Sequence, residues 1–125
     1  MCDENVWSYQ IKELKKRYKV IFPNLKKGDT IKEFSSNIIK TLPKKFSIIG
    51  FSMGGFIALD LSINHPERVE KLILVGTNGR SISDKRKKFL NKFYDEINNE
   101  NFINKFCNAN INLYFTKNNQ NNRRY

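Results

Sequence analysis

The sequence predicts an α/β fold, a parallel sheet of about three short strands flanked by helices. Two observations carry that expectation. Short β-rich runs alternate with stretches whose apolar residues recur at helical spacing, the rhythm of right-handed strand–helix–strand units on a parallel sheet. The last of these runs, Lys71-Leu72-Ile73-Leu74-Val75, is apolar from its second residue onward, as expected of a parallel strand covered on both faces.

Each element follows from its residues. Trp7, Ile11, Leu14 and Tyr18 recur at intervals of four, three and four within residues 4–18, which makes one apolar helix face. Asp3 is the expected N-cap, and Lys15, Lys16 and Arg17 put positive charge in the last turn, where it suits the helix dipole. Tyr18-Lys19-Val20-Ile21-Phe22 is a short β-rich run stopped by Pro23 and Asn24, and predicts the first strand. Lys26-Lys27-Gly28-Asp29 is loop chemistry. Ile31, Phe34, Ile38 and Leu42 then repeat at helical spacing, capped by Thr30 or Asp29 and ended by Pro43. Phe46-Ser47-Ile48-Ile49-Gly50 predicts the second strand, residues 56–61 a helix that stops before Pro66, and residues 71–75 the third strand. Ile82, Phe89, Phe93 and Ile97 allow a helix over 82–98, although its charge is high and its apolar stripe thin. From Asn98 onward Asn dominates. The chain therefore divides into a core over residues 1–80, a helical segment over 81–107, and a tail over 108–125 with too little apolar area to order itself.

Composition narrows the function classes. The chain has 125 residues, 39% hydrophobic and 13% aromatic, enough for one domain with a real core. No apolar run approaches the ~18 residues of a membrane helix, and Met1-Cys2-Asp3-Glu4-Asn5 lacks the basic and apolar regions of a secretory signal. Cys2 and Cys107 lie at opposite ends of the chain, so neither a zinc ribbon nor a disulfide framework can be built from them. These features predict a cytoplasmic protein with reduced thiols, no membrane partner and no metal. The 23 Lys+Arg against 12 Asp+Glu give a net charge of +11, a balance that can mark a nucleic-acid surface. Here the lysines are spread along the whole chain beside frequent Asn, Ile and Phe, the joint enrichment of an AT-rich coding sequence. A nucleic-acid partner is not expected.

One motif carries chemistry. Gly50-Phe51-Ser52-Met53-Gly54 fits G-x-S-x-G. A predicted strand runs into it and a predicted helix follows, the setting in which a serine hydroxyl projects above the edge of a sheet. Strain at such a serine brings its neighbours close to main chain, so a side chain at position 50 or 54 should collide. Gly55 adds a third residue without bulk, letting the helix pack tightly over the strand. Ser52 is the candidate nucleophile. The Met53 backbone N–H, at the positive end of the helix dipole, is the candidate oxyanion donor. The bland alternative is a glycine-rich turn with an incidental exposed serine.

Cys2-Asp3-Glu4, Trp7, Gln10-Ile11 and Leu14, then Val20 to Leu25, Phe46, Gly50 to Gly55 and His65-Pro66-Glu67-Arg68-Val69-Glu70-Lys71-Leu72 make residues 1–80 resemble the α/β-hydrolase superfamily, in its esterase-like, cofactor-free branch. The resemblance implies a partial α/β-hydrolase fold, a cap that begins within residues 81–107, no cofactor, and a small-molecule acyl substrate (an ester, thioester or similar) for the full-length relative. Asn24 stands where the family usually has Asp.

The resemblance also shows what is missing. The family pairs its serine with a histidine base and an orienting carboxylate, both later in the chain. The one histidine, His65, falls at the far end of the helix that follows Ser52, about 15 Å away for a helix of roughly ten residues. Asp29, Asp60 and Asp84 do not match the position of the family's acid. No general base and no acid are assigned, and the Gly-containing loop that gives the family its second oxyanion N–H has no counterpart. The expectation is a central fragment, inactive as an isolated chain. An early strand between the 18–22 and 46–50 strands is absent, so these must pair directly or the first must leave the sheet. Unfilled sheet edges predict self-association. The alternative is a non-catalytic hydrolase remnant that acts as a binding protein.

Overall fold

A computed structural model describes residues 4–114 and residue 117. They fall into two compact units, one within residues 1–79 and one within residues 80–125. In the first unit a 3-10 turn over Glu4–Trp7 leads into α1 (Ser8–Leu14), followed by α2 (Ile31–Ile38), β1 (Phe46–Phe51), α3 (Met53–Asn64) and β2 (Val69–Val75). The first helix thus ends four residues earlier than its periodicity predicts, and its expected cap, Asp3, lies outside the described residues.

β1 and β2 pair in parallel, with Ile48 opposite Leu72, Ile49 opposite Ile73 and Phe51 opposite Val75. α3 supplies the crossover that a parallel pair requires. The sheet has two strands among the described residues, not about three. Residues 18–22 form no strand, and Tyr18, Ile21 and Phe22 are exposed. β-propensity measures fit to a half-buried pleated surface, and no described strand offers one beside this run. It has left the sheet.

Buried Ile38, Ile39, Ile57 and Leu61 form the core, with Phe34, Phe46, Ile48 and Met53 packed against it. α2 starts as its sequence predicts. The Glu33 N–H donates to Thr30 Oγ1 at 3.2 Å, and the Glu33 carboxylate accepts from the Asp29 N–H at 2.8 Å, close to capping-box logic. Ser35, 3% exposed, donates to the Asp60 carboxylate and so ties α2 to α3. Beyond α2, the Arg68 guanidinium donates to the carbonyls of Ile39 (3.2 Å), Leu42 (2.9 Å), Pro43 (2.7 Å) and Lys44 (3.2 Å). Carbonyls past a helix end lack intrahelical donors, and one planar fork satisfies several of them. The Phe46 N–H in turn donates to the Arg68 carbonyl at 2.9 Å, fixing the entry to β1.

β2 departs from expectation. Its apolar residues are predicted to be covered on both faces, yet Leu72 is 37% exposed, Ile73 51%, Leu74 36% and Val75 39%. A two-stranded sheet leaves each strand with an unpaired edge, and α3 alone cannot cover both faces.

The second unit holds α4 (Asp84–Glu96) and α5 (Glu100–Tyr114). Ser83 caps α4, accepting from the Arg86 N–H at 3.3 Å. Asn99 accepts from the Phe102 N–H at 3.3 Å and opens α5. The Phe93 ring lies 5.6 Å from Phe102 and 4.8 Å from Phe106, edge to face in both pairs. Phe89 joins the cluster, 6.4 Å from Phe106, and such ring contacts hold the two helices together. α5 runs to Tyr114, so the first part of the 108–125 tail is helical rather than loose. Once Phe102 and Phe106 anchor the helix, each added turn costs far less than a new nucleus. Residues 115–116 and 118–125 lie outside the described residues. No described helix is long and apolar enough to cross a membrane.

Candidate active site

β1 ends at Phe51 and α3 begins at Met53, which leaves Ser52 alone at the turn. Its φ of 50° and ψ of −116° make it the one non-glycine residue with positive φ among the described residues. A side chain in that region is strained and persists only where its surroundings hold it. They do so from two sides. The Ser52 N–H donates to the Val75 carbonyl at 2.9 Å, and the Ser52 carbonyl accepts from the Gly55 N–H at 3.0 Å. Ser52 is exposed, and unlike Thr30 and Ser83 its side chain makes no capping hydrogen bond to the helix that follows. The hydroxyl therefore stands at the sheet tip, uncommitted to the helix.

The glycines explain the tightness of the turn, with one correction. A Cβ on Gly50 would lie 2.5 Å from the Gly54 carbonyl oxygen and 2.6 Å from Gly55 Cα. A Cβ on Gly55 would strike Thr77, 2.7 Å from its Cβ and 2.9 Å from its Oγ1. Gly54, by contrast, has nothing within 4 Å of that position, so the collision expected there is absent. Gly50 and Gly55 face each other across the strand–helix contact, whereas position 54 points into open space. Met53 is the first residue of α3, and the leading N–H groups of a helix have no intrahelical acceptor.

On the chain's amino-terminal side, Trp7 meets the Phe51 ring edge-on at 6.4 Å. A shallow apolar groove of about 470 Å³ runs beside it, lined by Trp7, Gln10, Leu14 and Ile49 among others.

The remaining candidates of the first unit are not gathered at Ser52. His65 is the C-cap of α3, its N–H on the Leu61 carbonyl at 2.9 Å. With α3 12 residues long, His65 sits about 18 Å along the helix from the turn. The Asp60 carboxylate is held by Ser35. Asp29 is an exposed loop residue beside Glu33, and Asp84 belongs to the second unit, 3.8 Å from Lys87 Nζ. No group of three or more metal-ligating side chains occurs among the described residues. Sequence reasoning missed Val75 and Thr77, which meet the turn only through the parallel pairing. No periodicity in the sequence signals a contact between elements so far apart in the chain.

A model of the alpha/beta hydrolase fold family matches residues 33–121. The pimeloyl-acyl-carrier-protein methyl ester esterase of Legionella pneumophila (strain Corby) is 36% identical over 87 residues, covering 66% of this chain and 36% of its own length. The esterase of the same name from Wigglesworthia glossinidia brevipalpis is 34% identical over 118 residues, 85% of this chain and 45% of its own. A 1-acylglycerol-3-phosphate O-acyltransferase of Arabidopsis thaliana is 43% identical over 49 residues, 38% of this chain and 12% of its own. The chain spans less than half the length of these curated relatives. No solved structure matches it.

Proposed function

The chain belongs to the alpha/beta hydrolase fold family, and from that footing we propose that it carries the nucleophile of an ester hydrolase, Ser52. The observation that supports this most is the strained, exposed Ser52 between β1 and α3. In the proposed reaction Ser52 Oγ attacks the ester carbonyl carbon as its proton passes to solvent water, since His65 stands at the far end of α3. The carbonyl π electrons move onto oxygen, where the Met53 N–H at the start of α3 stabilises them. Collapse of the tetrahedral intermediate expels the alcohol and leaves an acyl-serine, which water then hydrolyses. Gly50 and Gly55 allow the turn its tight packing.

The names of the bacterial relatives point to the substrate class, a methyl ester on an acyl group borne by acyl-carrier protein. We assign this chain acylation without turnover, as a partial fold in which, among the described residues of the first unit, neither His65 nor Asp29 nor Asp60 is gathered at Ser52. A cytoplasmic location is part of the same reading, supported by the exposed free thiol of Cys107. A fluorophosphonate probe tests the proposal: it should label Ser52, and the label should vanish in Ser52→Ala.

The exposed apolar residues of β2 favour a second reading, a non-catalytic remnant that binds a partner or a second copy through its sheet edge. A folded chain that takes up no probe at Ser52 would decide for it.

A further inference from the structure

We infer that Thr77 is a positioning residue for Ser52, and that it acts through shape rather than through its hydroxyl. The inference rests on Ser52 as the nucleophile. Ser52 is strained, and its geometry survives only if neighbours over-determine it. One short segment supplies both restraints. Val75, the last residue of β2, accepts the Ser52 N–H at 2.9 Å. Gly76 then turns the chain with φ +60°, and a Cβ there would already lie 3.2 Å from the Phe51 ring. That turn seats the Thr77 side chain on Gly55, in the first turn of α3. Gly55 is the residue whose N–H closes back onto the Ser52 carbonyl at 3.0 Å. Strand and helix sides of the turn are thus held by residues two apart in sequence.

The chemistry of Thr77 favours a steric role. A β-branched side chain has few χ1 states and makes a stiff wedge. Its Oγ1 is buried and has no hydrogen-bond partner among the described residues. An unpaired buried hydroxyl opposes folding, so the hydroxyl does not hold the turn. Its shape does, and valine has the same shape.

Amide hydrogen exchange on the full chain tests this, comparing wild type, Thr77→Ala and Thr77→Val. In Thr77→Ala the Ser52 and Gly55 amides should exchange about tenfold faster, as a local opening, while the Leu61 amide deep in α3 is unchanged. Thr77→Val should restore the wild-type rates. The inference is overturned if Thr77→Ala leaves Ser52 unchanged. It is equally overturned if Thr77→Val is as fast as Thr77→Ala, or if Leu61 accelerates by the same factor as Ser52. Exchange reads the turn whether or not Ser52 reacts. A missing phosphonate label would therefore sink the nucleophile alone and leave the exchange rates to decide on Thr77.

Discussion

Ser52 hangs its backbone N–H on the carbonyl of Val75, at 2.9 Å, across the parallel pair. The proposed nucleophile is therefore anchored by the last residue of the neighbouring strand. That strand is also the more exposed of the two, with Ile73 51% accessible against 37% for Ile49 opposite it. Disturbance of β2 should be felt at the turn.

The glycines of the motif are not equivalent. Gly50→Ala drives a methyl group to 2.5 Å from the Gly54 carbonyl, and overpacking of that kind costs about 1–3 kcal/mol. Gly54→Ala meets nothing within 4 Å and removes a flexible residue from a helix, so it should be neutral or stabilising by up to about 1 kcal/mol. Urea unfolding of the two variants checks the contrast.

Arg68, half-buried, should matter to stability. Arg68→Ala strands the carbonyls of Ile39, Leu42, Pro43 and Lys44 and removes the cation 5.8 Å from the Phe46 ring centroid. A loss of about 1.5–3 kcal/mol is expected, the range for hydrogen bonds to charged groups. Arg68→Lys should recover little of it, because one ammonium cannot span the same four acceptors. Chemical denaturation of both variants reads the difference.

His65 and Asp60 are expected to be structural. His65→Ala should leave the rate of phosphonate labelling at Ser52 unchanged. Asp60→Ala should lower stability by about 1 kcal/mol through the lost Ser35 bond, again without changing the labelling rate. A tenfold drop in either rate would place that residue in the chemistry.

The fold class, α2 with its Thr30 cap, both paired strands and the position of the serine turn were legible in the sequence, because each rests on local signals. Apolar spacing, cap residues and the glycine-flanked serine all lie within a few residues of one another. What was illegible depends on distant partners. Residues 18–22 read as a strand because β-propensity is local, but strand formation depends on a neighbour that no described element provides. The contact of Thr77 with Gly55 arises only once β2 is laid beside β1. α5 was hidden by its Asn content, since the aromatic contacts that support it join two helices.

The exposed edge of β2 should drive self-association. Sedimentation velocity over a concentration series is expected to show the average mass of the chain rising with concentration. Ile73→Lys places a charge on the exposed strand, a known means of blunting edges, and should suppress the rise. Equal behaviour of the two chains would mean that β2 does not drive association.

Intact-mass spectrometry after long incubation with an activated aryl ester is the decisive test of Ser52 as the nucleophile of acylation without turnover. A serine held exposed by its turn, with no base beside it among the described residues of the first unit, should take up one acyl group at Ser52 and keep it, with no sustained release of acid. Ser52→Ala should take up none at that position. Continuous Ser52-dependent turnover by the isolated chain, or acyl groups only on other residues, would contradict it.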